Sequence, residues 1–547
     1  MVGMNDEKND ILLNGEQEEA LRLMMSGVNV FLTGEAGTGK STLVREFIRR
    51  CGRECIVLAP TGIAALNAGG TTIHSQMLLR PGLLNPLALE PLADGNRCRV
   101  LRAAKTVIVD EISMVRSDLF CAMDARFRGL ASGENRSRPF GGRQMILVGD
   151  FMQLPPVVGG DDERRFIDER MGGPFAFQTD LWNAAMFRTV FLRTMHRQGG
   201  DALFRNVLGS LRHGNFEAAA KVLNNHCIGE KTFATPPICL CTTNHEAKSV
   251  NDAARKSVRG ASRSFAAQTS GNFPEADYPA EPRLDLAVGA RVMVLCNQRN
   301  EGELECVNGD MGVVVCFEEG EETGVRVRLD SGKTVTVAPH TWEKCAYACV
   351  DDPKTMSSVM RQVIVGSYVQ LPLRLAYAIT IHKSQGLSLD SVSLRLGRGC
   401  FDHGQLYTAL SRCRTLAGLQ IDRRLRPEDL IVDDAVVKFH SELEGQSGMG
   451  EGLWYEEAMQ YYLRRLKTGS GAIPRGEMAQ SEFDFAPRVY DHPDLTALCD
   501  LYRRGAINKY DLPILEPLAQ NASSGTGVKE VELATITRLI AKYKSCR

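Results

Sequence analysis

Short apolar runs alternate with amphipathic segments through the first part of the chain. These runs occupy residues 28–33, 56–59, 106–110, 144–150 and 189–192. Runs of this length without polar alternation are typical of strands that are buried on both faces of a parallel sheet. Helical spacing of apolar residues, as in 16–26, separates them and predicts a doubly wound α/β domain. Ligands are expected at the carboxyl ends of such strands.

The second part repeats this pattern and contains a region of different character. Its apolar runs occupy residues 237–244, 375–380 and 391–397. The region between the first two contains Val-rich alternating runs with Gly turns, at residues 311–317, 325–332 and 333–339. Alternation of this kind predicts short antiparallel strands. We therefore expect a small β-barrel that is inserted in a second α/β domain.

Changes in composition divide the 547 residues into parts of ordinary domain size. We place a first domain at residues 1–190 and a second at 191–445, with the inserted barrel at 290–370. The Gly-rich stretch 445–452 indicates a linker. Helical spacing beyond it predicts a mostly helical C-terminal extension over 446–547, to which no function is assigned.

Composition excludes several classes of protein. The net charge is −1, so binding of DNA or RNA has to come from local patches rather than from a global basic field. The sequence shows no signal-peptide pattern and no membrane-length apolar run, which predicts a soluble intracellular protein without a membrane partner. The 16 cysteines lack paired zinc-site spacing and are interpreted as reduced thiols.

A glycine-rich segment follows the first apolar run. Its pattern, Gly34-x-x-x-x-Gly39-Lys40-Ser41, is that of a P-loop between a strand and a helix. Backbone N–H groups and the helix N-terminus would hold the phosphates of ATP, Lys40 would reach the β- and γ-phosphates, and Ser41 would bind Mg²⁺. The phosphate-binding residues are therefore predicted to be Gly34, Glu35, Ala36, Gly37, Thr38, Gly39, Lys40, Ser41 and Thr42.

Polar residues follow two later apolar runs and complete a hydrolytic site. Asp110 would join Ser41 as a Mg²⁺ ligand, and Glu111 would polarise the attacking water. Gln153 follows another run and is a candidate contact of the γ-phosphate. Arg197 and Arg412 are candidates for neutralising transition-state charge, although a single arginine is usually a surface residue.

These segments occur in the order of a known family. The chain resembles the PIF (petite integration frequency) family of superfamily 1B DNA helicases, from residue 13 to residue 414. The most distinctive piece is similar to the family signature and comprises 119-LFCAMDARFR-128 and 139-PFGGRQMILVGDF-151. The other matching pieces include 59-APTGIAAL-66, 70-GTTIHS-75, 109-VDEISM-114, 149-GDFMQLPPV-157, 192-LRTMHRQ-198, 307-VNGDMG-312, 375-LAYAITIHKSQG-386 and 407-YTALSRCR-414.

The resemblance implies a fold and roles for particular residues. Two RecA-like domains would sandwich ATP, with Gln17 reading adenine, Gly386 contributing to the nucleotide site, and Arg197 and Arg412 acting as arginine fingers. Closing the cleft between the domains would complete the site. The inserted barrel would correspond to a Src-homology-3-like module, and residues 76–100 to a wedge that splits the duplex.

The resemblance also implies a DNA track across both domains and 5′→3′ movement on single-stranded DNA. Hydroxyl, amide and backbone N–H groups suit contact with the sugar–phosphate backbone. The matching positions are Pro60, Thr61, Gly62, His74, Ser75, Thr243, Asn244, Thr380, His382, Lys383, Ser384 and Gln385. Single-stranded DNA, forked DNA and G-quadruplexes are the expected partners of a chain that is a monomer without DNA. The expected location is the cytoplasm, at the nucleoid, in a prokaryote, and the nucleus or mitochondrion in a eukaryote.

Two other functions fit parts of the pattern. A RecD-like subunit of a recombination nuclease belongs to the same superfamily, but the signature segment argues against it. A P-loop ATPase that remodels its target without separating strands shares the nucleotide site. Residues 129–138 form a polar insertion in the signature segment, and His196 stands where the family has an aromatic residue.

Overall fold

The computed structural model describes residues 13–445, except 53, 93–94, 196–199, 230, 234–235, 301–302, 319–323 and 352–357. Arg197 and the predicted extension over 446–547 lie outside the described residues. Among the helices that the structure describes, none has the length and apolar character needed to cross a membrane.

A six-stranded parallel sheet organises the first part of the chain, as the apolar runs predicted. Its strands are β1 (Val30–Gly34), β2 (Cys55–Ala59), β3 (Thr71–Thr72), β4 (Thr106–Val109), β5 (Gln144–Val148) and β6 (Arg188–Leu192). The order across the sheet is β3-β2-β4-β5-β1-β6, so β1 lies between β5 and β6. Strand β6 extends two residues past the boundary predicted at residue 190.

Helices cover this sheet and bury its apolar side chains. They are α1 (Gly15–Met25), α2 (Lys40–Arg50), α3 (Gly62–Ala68), α4 (Ile73–Met77), α5 (Asn96–Ala103), α6 (Ser117–Leu130), α7 (Asp161–Met171) and α8 (Asp180–Ala184). Phe31 on β1 packs at 5.4 Å from the ring of Phe151 and at 5.2 Å from that of Trp182. The other side of the sheet packs on α1 and α2 through Val30, Leu32 and Phe47.

Within the described residues, the second part contains five further α-helices, of which the last ends at residue 445. They are α9 (Ala202–Arg212), α10 (Phe216–His226), α11 (Asn244–Ser257), α12 (Gln405–Leu410) and α13 (Asp434–Gly445). Its strands are β7 (Ile238–Cys241), β8 (Ser262–Ala266), β9 (Gln268–Gly271), β10 (Arg283–Ala287), β11 (Arg291–Val294), β12 (Gln298–Asn300), β13 (Glu303–Cys306), β14 (Met311–Phe317), β15 (Val325–Leu329), β16 (Thr334–Val337), β17 (His340–Asp351), β18 (Ser358–Gln370), β19 (Leu373–Leu375), β20 (Ala378–Thr380), β21 (Val392–Arg395) and β22 (Leu419–Ile421).

Four of these strands form a second parallel sheet, in the order β20-β7-β21-β22. The predicted α/β fold with parallel sheets is therefore confirmed. The run 375–380 was predicted as one strand, which is wrong in detail. Leu375 ends β19 in an antiparallel sheet, and only Ala378–Thr380 pairs with β7. The chain changes sheet between these strands, so a continuous apolar run hides the break.

The Val-rich region forms a five-stranded antiparallel sheet, in the order β16-β15-β14-β11-β19. Val292, Val314, Val327 and Val337 belong to its own hydrophobic core. Alternation explains this, since every second side chain of β15 is buried. The long hairpin of β17 and β18 reaches the first part of the chain, where Val57 N donates to the Tyr347 hydroxyl at 2.9 Å.

Candidate nucleotide and DNA site

The P-loop connects β1 to α2 at the carboxyl edge of the first sheet. Gly37 and Gly39 both have φ of 87°, in the left-handed region that favours glycine. A Cβ atom on Gly34 would lie 2.4 Å from the carbonyl oxygen of Leu192 on β6. No side chain caps α2, so the backbone N–H groups of its first turn face the loop. This geometry suits a phosphate group.

Lys40 is the first residue of α2, and its side chain reaches back to the P-loop. Its ammonium group donates to the carbonyl oxygens of Gly34 at 2.7 Å and Glu35 at 3.0 Å. Burial lowers the pKa of the Lys40 ammonium, and the charges of Asp150 and Glu111 oppose that shift. A lysine at the base of a phosphate loop, with carboxylates close by, is the arrangement expected for contact with the β- and γ-phosphates.

Asp110 and Glu111 follow β4, the strand next to β5. Glu111 has φ of 52° and ψ of 48°, a left-handed conformation that is strained for a residue other than glycine. Burial, followed by the charge of Asp110, raises the pKa of the Glu111 carboxyl to about 7. A carboxylate with a pKa near neutrality suits a general base at physiological pH. The predicted role of Glu111 stays a prediction with this support.

Ser41 and Asp110 are the predicted ligands of Mg²⁺. Ser41 is exposed in the first turn of α2, directly after Lys40, and the charge of Asp110 acts on the Lys40 ammonium. Burial raises the pKa of Asp110, and the Glu111 N–H that donates to it at 3.0 Å opposes this. Hydroxyl and carboxylate oxygens are the hard donors that Mg²⁺ prefers, so these residues fit the ion.

Sequence reasoning missed Asp150, Arg212 and Tyr407, which lie together beside this edge. Asp150 follows β5 and forms a 2.6 Å ion pair with Arg212 from the last turn of α9. The same guanidinium lies 3.3 Å from the Tyr407 hydroxyl on α12. Gln153, a predicted γ-phosphate contact, is buried and donates to Asp150 at 3.2 Å. No local sequence motif marks Arg212. It lies 62 residues from Asp150 along the chain, and only the fold brings the two together.

Arg412 is the predicted arginine finger within the described residues. It is 2% exposed, and its guanidinium donates to the Thr408 carbonyl at 3.0 Å and the Ser411 hydroxyl at 2.8 Å. Burial lowers the pKa of the Arg412 guanidinium, and the negative charge of Glu111 partly opposes that shift. The second part of the chain thus places this arginine within electrostatic range of the predicted base.

Gln17, the predicted adenine reader, is buried at the start of α1. Its side-chain oxygen accepts from Asn14 N at 3.1 Å, and the Asn14 side chain accepts from Gln17 N at 2.9 Å. This reciprocal capping box fixes the start of the helix. The neighbouring Glu16 carboxylate accepts from the backbone N–H groups of Arg193 and Thr194, which tie α1 to the segment after β6. Adenine recognition stays a prediction.

Two of the predicted DNA-binding residues, Thr61 and Thr243, are N-caps of helices, and each accepts one hydrogen bond through its hydroxyl. Thr61 precedes α3, and its hydroxyl accepts from Ala64 N at 3.2 Å. Thr243 precedes α11, and its hydroxyl accepts from Glu246 N at 3.3 Å. Both threonines are exposed, as is Asn244. Each cap follows a parallel strand, so both lie at the carboxyl edges of the two sheets.

The remaining predicted DNA residues differ in exposure. Lys383 is exposed, whereas Ser384 is 0% and Thr380 4% exposed. The Ser384 hydroxyl donates to the Ile381 carbonyl at 2.7 Å, and the Thr380 hydroxyl accepts from Lys383 N at 3.3 Å. These two side chains stabilise the turn after β20. The half-buried residues are Pro60, Gly62, His74, Ser75, His382 and Gln385.

The chain is similar to the proteins of a known family. A family model described as PIF1-like helicase matches residues 12–218. The ATP-dependent DNA helicase PIF1 of Danio rerio is 34% identical over 475 residues, which cover 81% of this chain and 68% of the relative. The chain belongs to the PIF1-like helicase family. It spans about two thirds of the length of the vertebrate relatives that it matches.

Solved structures of the family extend the comparison. The crystal structure of Bacteroides sp. Pif1 in complex with ADP-AlF4 is 33% identical with a TM-score of 0.71, and the match covers 80% of this chain and 98% of that one. Bacteroides Pif1 bound to single-stranded DNA is 34% identical with a TM-score of 0.57, at the same coverage. Membership confirms the expected enzyme class, an ATP-dependent DNA helicase of the PIF family, and with it the expected use of ATP and binding of DNA.

Proposed function

We propose that the protein is an ATP-dependent helicase that moves 5′→3′ on single-stranded DNA and unwinds duplex and forked substrates. The cleft between its two α/β parts is the motor. The observation that carries this proposal is the 2.6 Å ion pair between Arg212 of the second part and Asp150 of the first, which joins the two parts beside the P-loop, and the charge of Glu111 opposes the lowering of the pKa of Arg412. A site built from both parts makes hydrolysis depend on their relative position.

Within this site each residue has a proposed task. The P-loop N–H groups and Lys40 bind the phosphates of ATP, and Gln17 orients its base. Glu111 accepts a proton from the attacking water, Gln153 contacts the γ-phosphate, and Arg412 neutralises charge that develops on it. Ser41 and Asp110 hold Mg²⁺, which when bound neutralises phosphate charge.

The DNA track runs over the two capping turns at Thr61 and Thr243. Hydroxyl and backbone N–H groups at such turns bind phosphates without reading sequence, which suits a translocating enzyme. The five-stranded sheet with its own core supports an assignment to the Src-homology-3-like module. Asn96 on α5, within the proposed wedge, accepts from Cys349 N of the β17–β18 hairpin at 2.7 Å, so the proposed wedge and the hairpin are neighbours.

Purified protein and four matched substrates would test this function: 5′-tailed, 3′-tailed, forked and G-quadruplex DNA. Single-stranded oligonucleotide should stimulate ATP hydrolysis, and the 5′-tailed duplex should be unwound while the 3′-tailed duplex is not. Hydrolysis that saturating oligonucleotide leaves unchanged would contradict the helicase. Stimulated hydrolysis without strand separation would indicate a remodelling ATPase, and unwinding of the 3′-tailed duplex alone would reverse the polarity.

A further inference from the structure

A buried guanidinium joins the two parts of the chain beside the nucleotide site. Arg212 is 4% exposed and ends α9. It pairs with Asp150 at 2.6 Å, lies 3.3 Å from the Tyr407 hydroxyl and lies 3.1 Å from Nε2 of His440. Asp150 follows β5 of the first sheet, whereas Tyr407 lies on α12 and His440 on α13. One side chain therefore contacts three separate elements at the cleft.

Arg212 and Asp150 form this bridge as an ionised pair. Burial by itself lowers the pKa of the Arg212 guanidinium, but the charge of Asp150 outweighs it, and the net shift is upward. Burial likewise raises the pKa of Asp150, and Arg212 together with Lys40 reverses that shift. Both partners are thus ionised. A buried, hydrogen-bonded ion pair of this kind holds its partners in a fixed geometry.

The bridge contacts α12, the helix that directly precedes the proposed arginine finger. Tyr407 lies on α12, and Arg412 follows it by five residues. The Arg412 guanidinium is bonded to Thr408, the residue directly after Tyr407, and to Ser411, one turn beyond Tyr407. Because these bonds fix Arg412 to the end of α12, whatever sets the position of α12 also sets the position of Arg412. The Arg212 guanidinium lies over the Tyr407 ring, 5.7 Å from its centroid.

We propose that Arg212 is a positioning residue for hydrolysis, which sets α12, and hence Arg412, against Asp150 and the P-loop. The inference rests on the proposed function, since it assigns Arg212 a task within that same site. Arg212 acts through Arg412 and Asp150 rather than on the phosphate. Its contribution therefore appears in turnover, because misplacing a catalytic group by 1 Å costs on the order of 100-fold in rate.

A double-mutant cycle tests whether Arg212 acts through Arg412. DNA-stimulated kcat and KM for ATP are measured for the parent, Arg212→Gln, Arg412→Ala and the double variant. Arg212→Gln should lower kcat by about 10- to 100-fold and leave the Kd for a fluorescent ATP analogue, measured without DNA, within about threefold. In the Arg412→Ala background the same change should lower kcat by less than about twofold, because the group it positions is already gone.

Two controls separate positioning from loss of stability. Arg212→Gln leaves Asp150 as an unpaired buried charge, so Asp150→Asn is added to restore neutrality, and this pair should recover thermal stability but not kcat. Arg291→Gln is the matched control. Arg291 is also 4% exposed and pairs with Asp330 at 2.6 Å, but it lies in the five-stranded antiparallel sheet. Its replacement should lower stability while leaving kcat at the parent value.

Two results would overturn the inference about Arg212. Neither of them would contradict the proposed function, which has its own test. If Arg212→Gln lowers kcat equally in both backgrounds, Arg212 does not act through Arg412. If the Asp150→Asn, Arg212→Gln pair recovers both stability and kcat, the bridge is only structural. Normal turnover of Arg412→Ala would instead contradict the proposed catalytic site itself, whatever Arg212 does.

Discussion

The carboxyl edges of the two parallel sheets share a threonine-capped turn but differ in the P-loop. In both sheets a strand leads through a capping threonine into a helix, at Thr61 before α3 and Thr243 before α11. Their backbones agree closely, with φ/ψ of −122°/157° and −123°/153°. Only the first edge also carries a P-loop among the described residues, with Asp110, Glu111 and Asp150 beside it.

This difference indicates that the two edges have different functions. A repeated turn that offers hydroxyl and N–H groups suits a repeated ligand, and the DNA backbone is such a ligand. A lysine and carboxylates gathered at one edge suit a single ligand, a triphosphate with its Mg²⁺ ion, because the lysine binds the phosphates and the carboxylates bind the cation. Under the proposed function the second part contributes Arg412 to that ligand, and it has no P-loop within the described residues. Hydrolysis is therefore expected to depend on one edge, and DNA binding on both.

The largest expected effect is at the P-loop. Lys40→Ala should reduce DNA-stimulated ATP hydrolysis to background, because the variant loses the ammonium that contacts the β- and γ-phosphates. Binding of single-stranded DNA, measured by fluorescence anisotropy, should remain. Lys438→Ala is the matched control, since that side chain is 78% exposed on α13. Unwinding by Lys40→Ala at the parent rate would refute the assigned site.

A smaller loss is expected at the predicted base. Glu111→Gln keeps the shape of the side chain but cannot accept a proton, so kcat should fall by about 100- to 10,000-fold. Affinity for ATP, measured by calorimetry under conditions without turnover, should stay close to that of the parent. Glu134→Gln, at an exposed position, should behave as the parent. A matching loss of ATP affinity would show that Glu111 acts in the ground state.

The smallest effects test the repeated turn. Thr61→Ala and Thr243→Ala each remove a capping hydroxyl, which costs about 1 kcal/mol of local stability. Each should weaken binding of single-stranded DNA by roughly fivefold if the hydroxyl also contacts phosphate, and the two effects should be equal. Thr→Ser at either position should restore affinity. A loss at one threonine alone would break the proposed equivalence of the two edges.

Much of the nucleotide site was predictable from local sequence. The P-loop at 34–41 needs glycine where φ is positive, and the Asp110-Glu111 pair comes directly after a buried strand. These signals are local because a strand end and a helix start fix the positions of neighbouring residues. The charges of Asp110 and Glu111 act on the Lys40 ammonium in the structure, while Arg197 lies outside the described residues.

Other features had no local signal. Residues 373–380 form strands of two different sheets, although their apolar character is almost continuous. Thr380 and Ser384 are buried, although both side chains are polar. Arg212 ends an amphipathic helix, where arginine is usually solvated and favoured by the helix dipole. Only its partners, 62 and 195 residues away, show that it lies in the cleft.

The sequence by itself determined the two parallel sheets, the phosphate loop and the residues that follow its strands. It did so because hydrophobic periodicity and glycine conformations act between residues that are close along the chain. Only the tertiary structure decided that Asp150, Arg212 and Tyr407 meet, and that Arg412 lies within electrostatic range of Glu111. The physical reason is that burial and ion pairing depend on distances in space, which are set by packing two parts of the chain against each other.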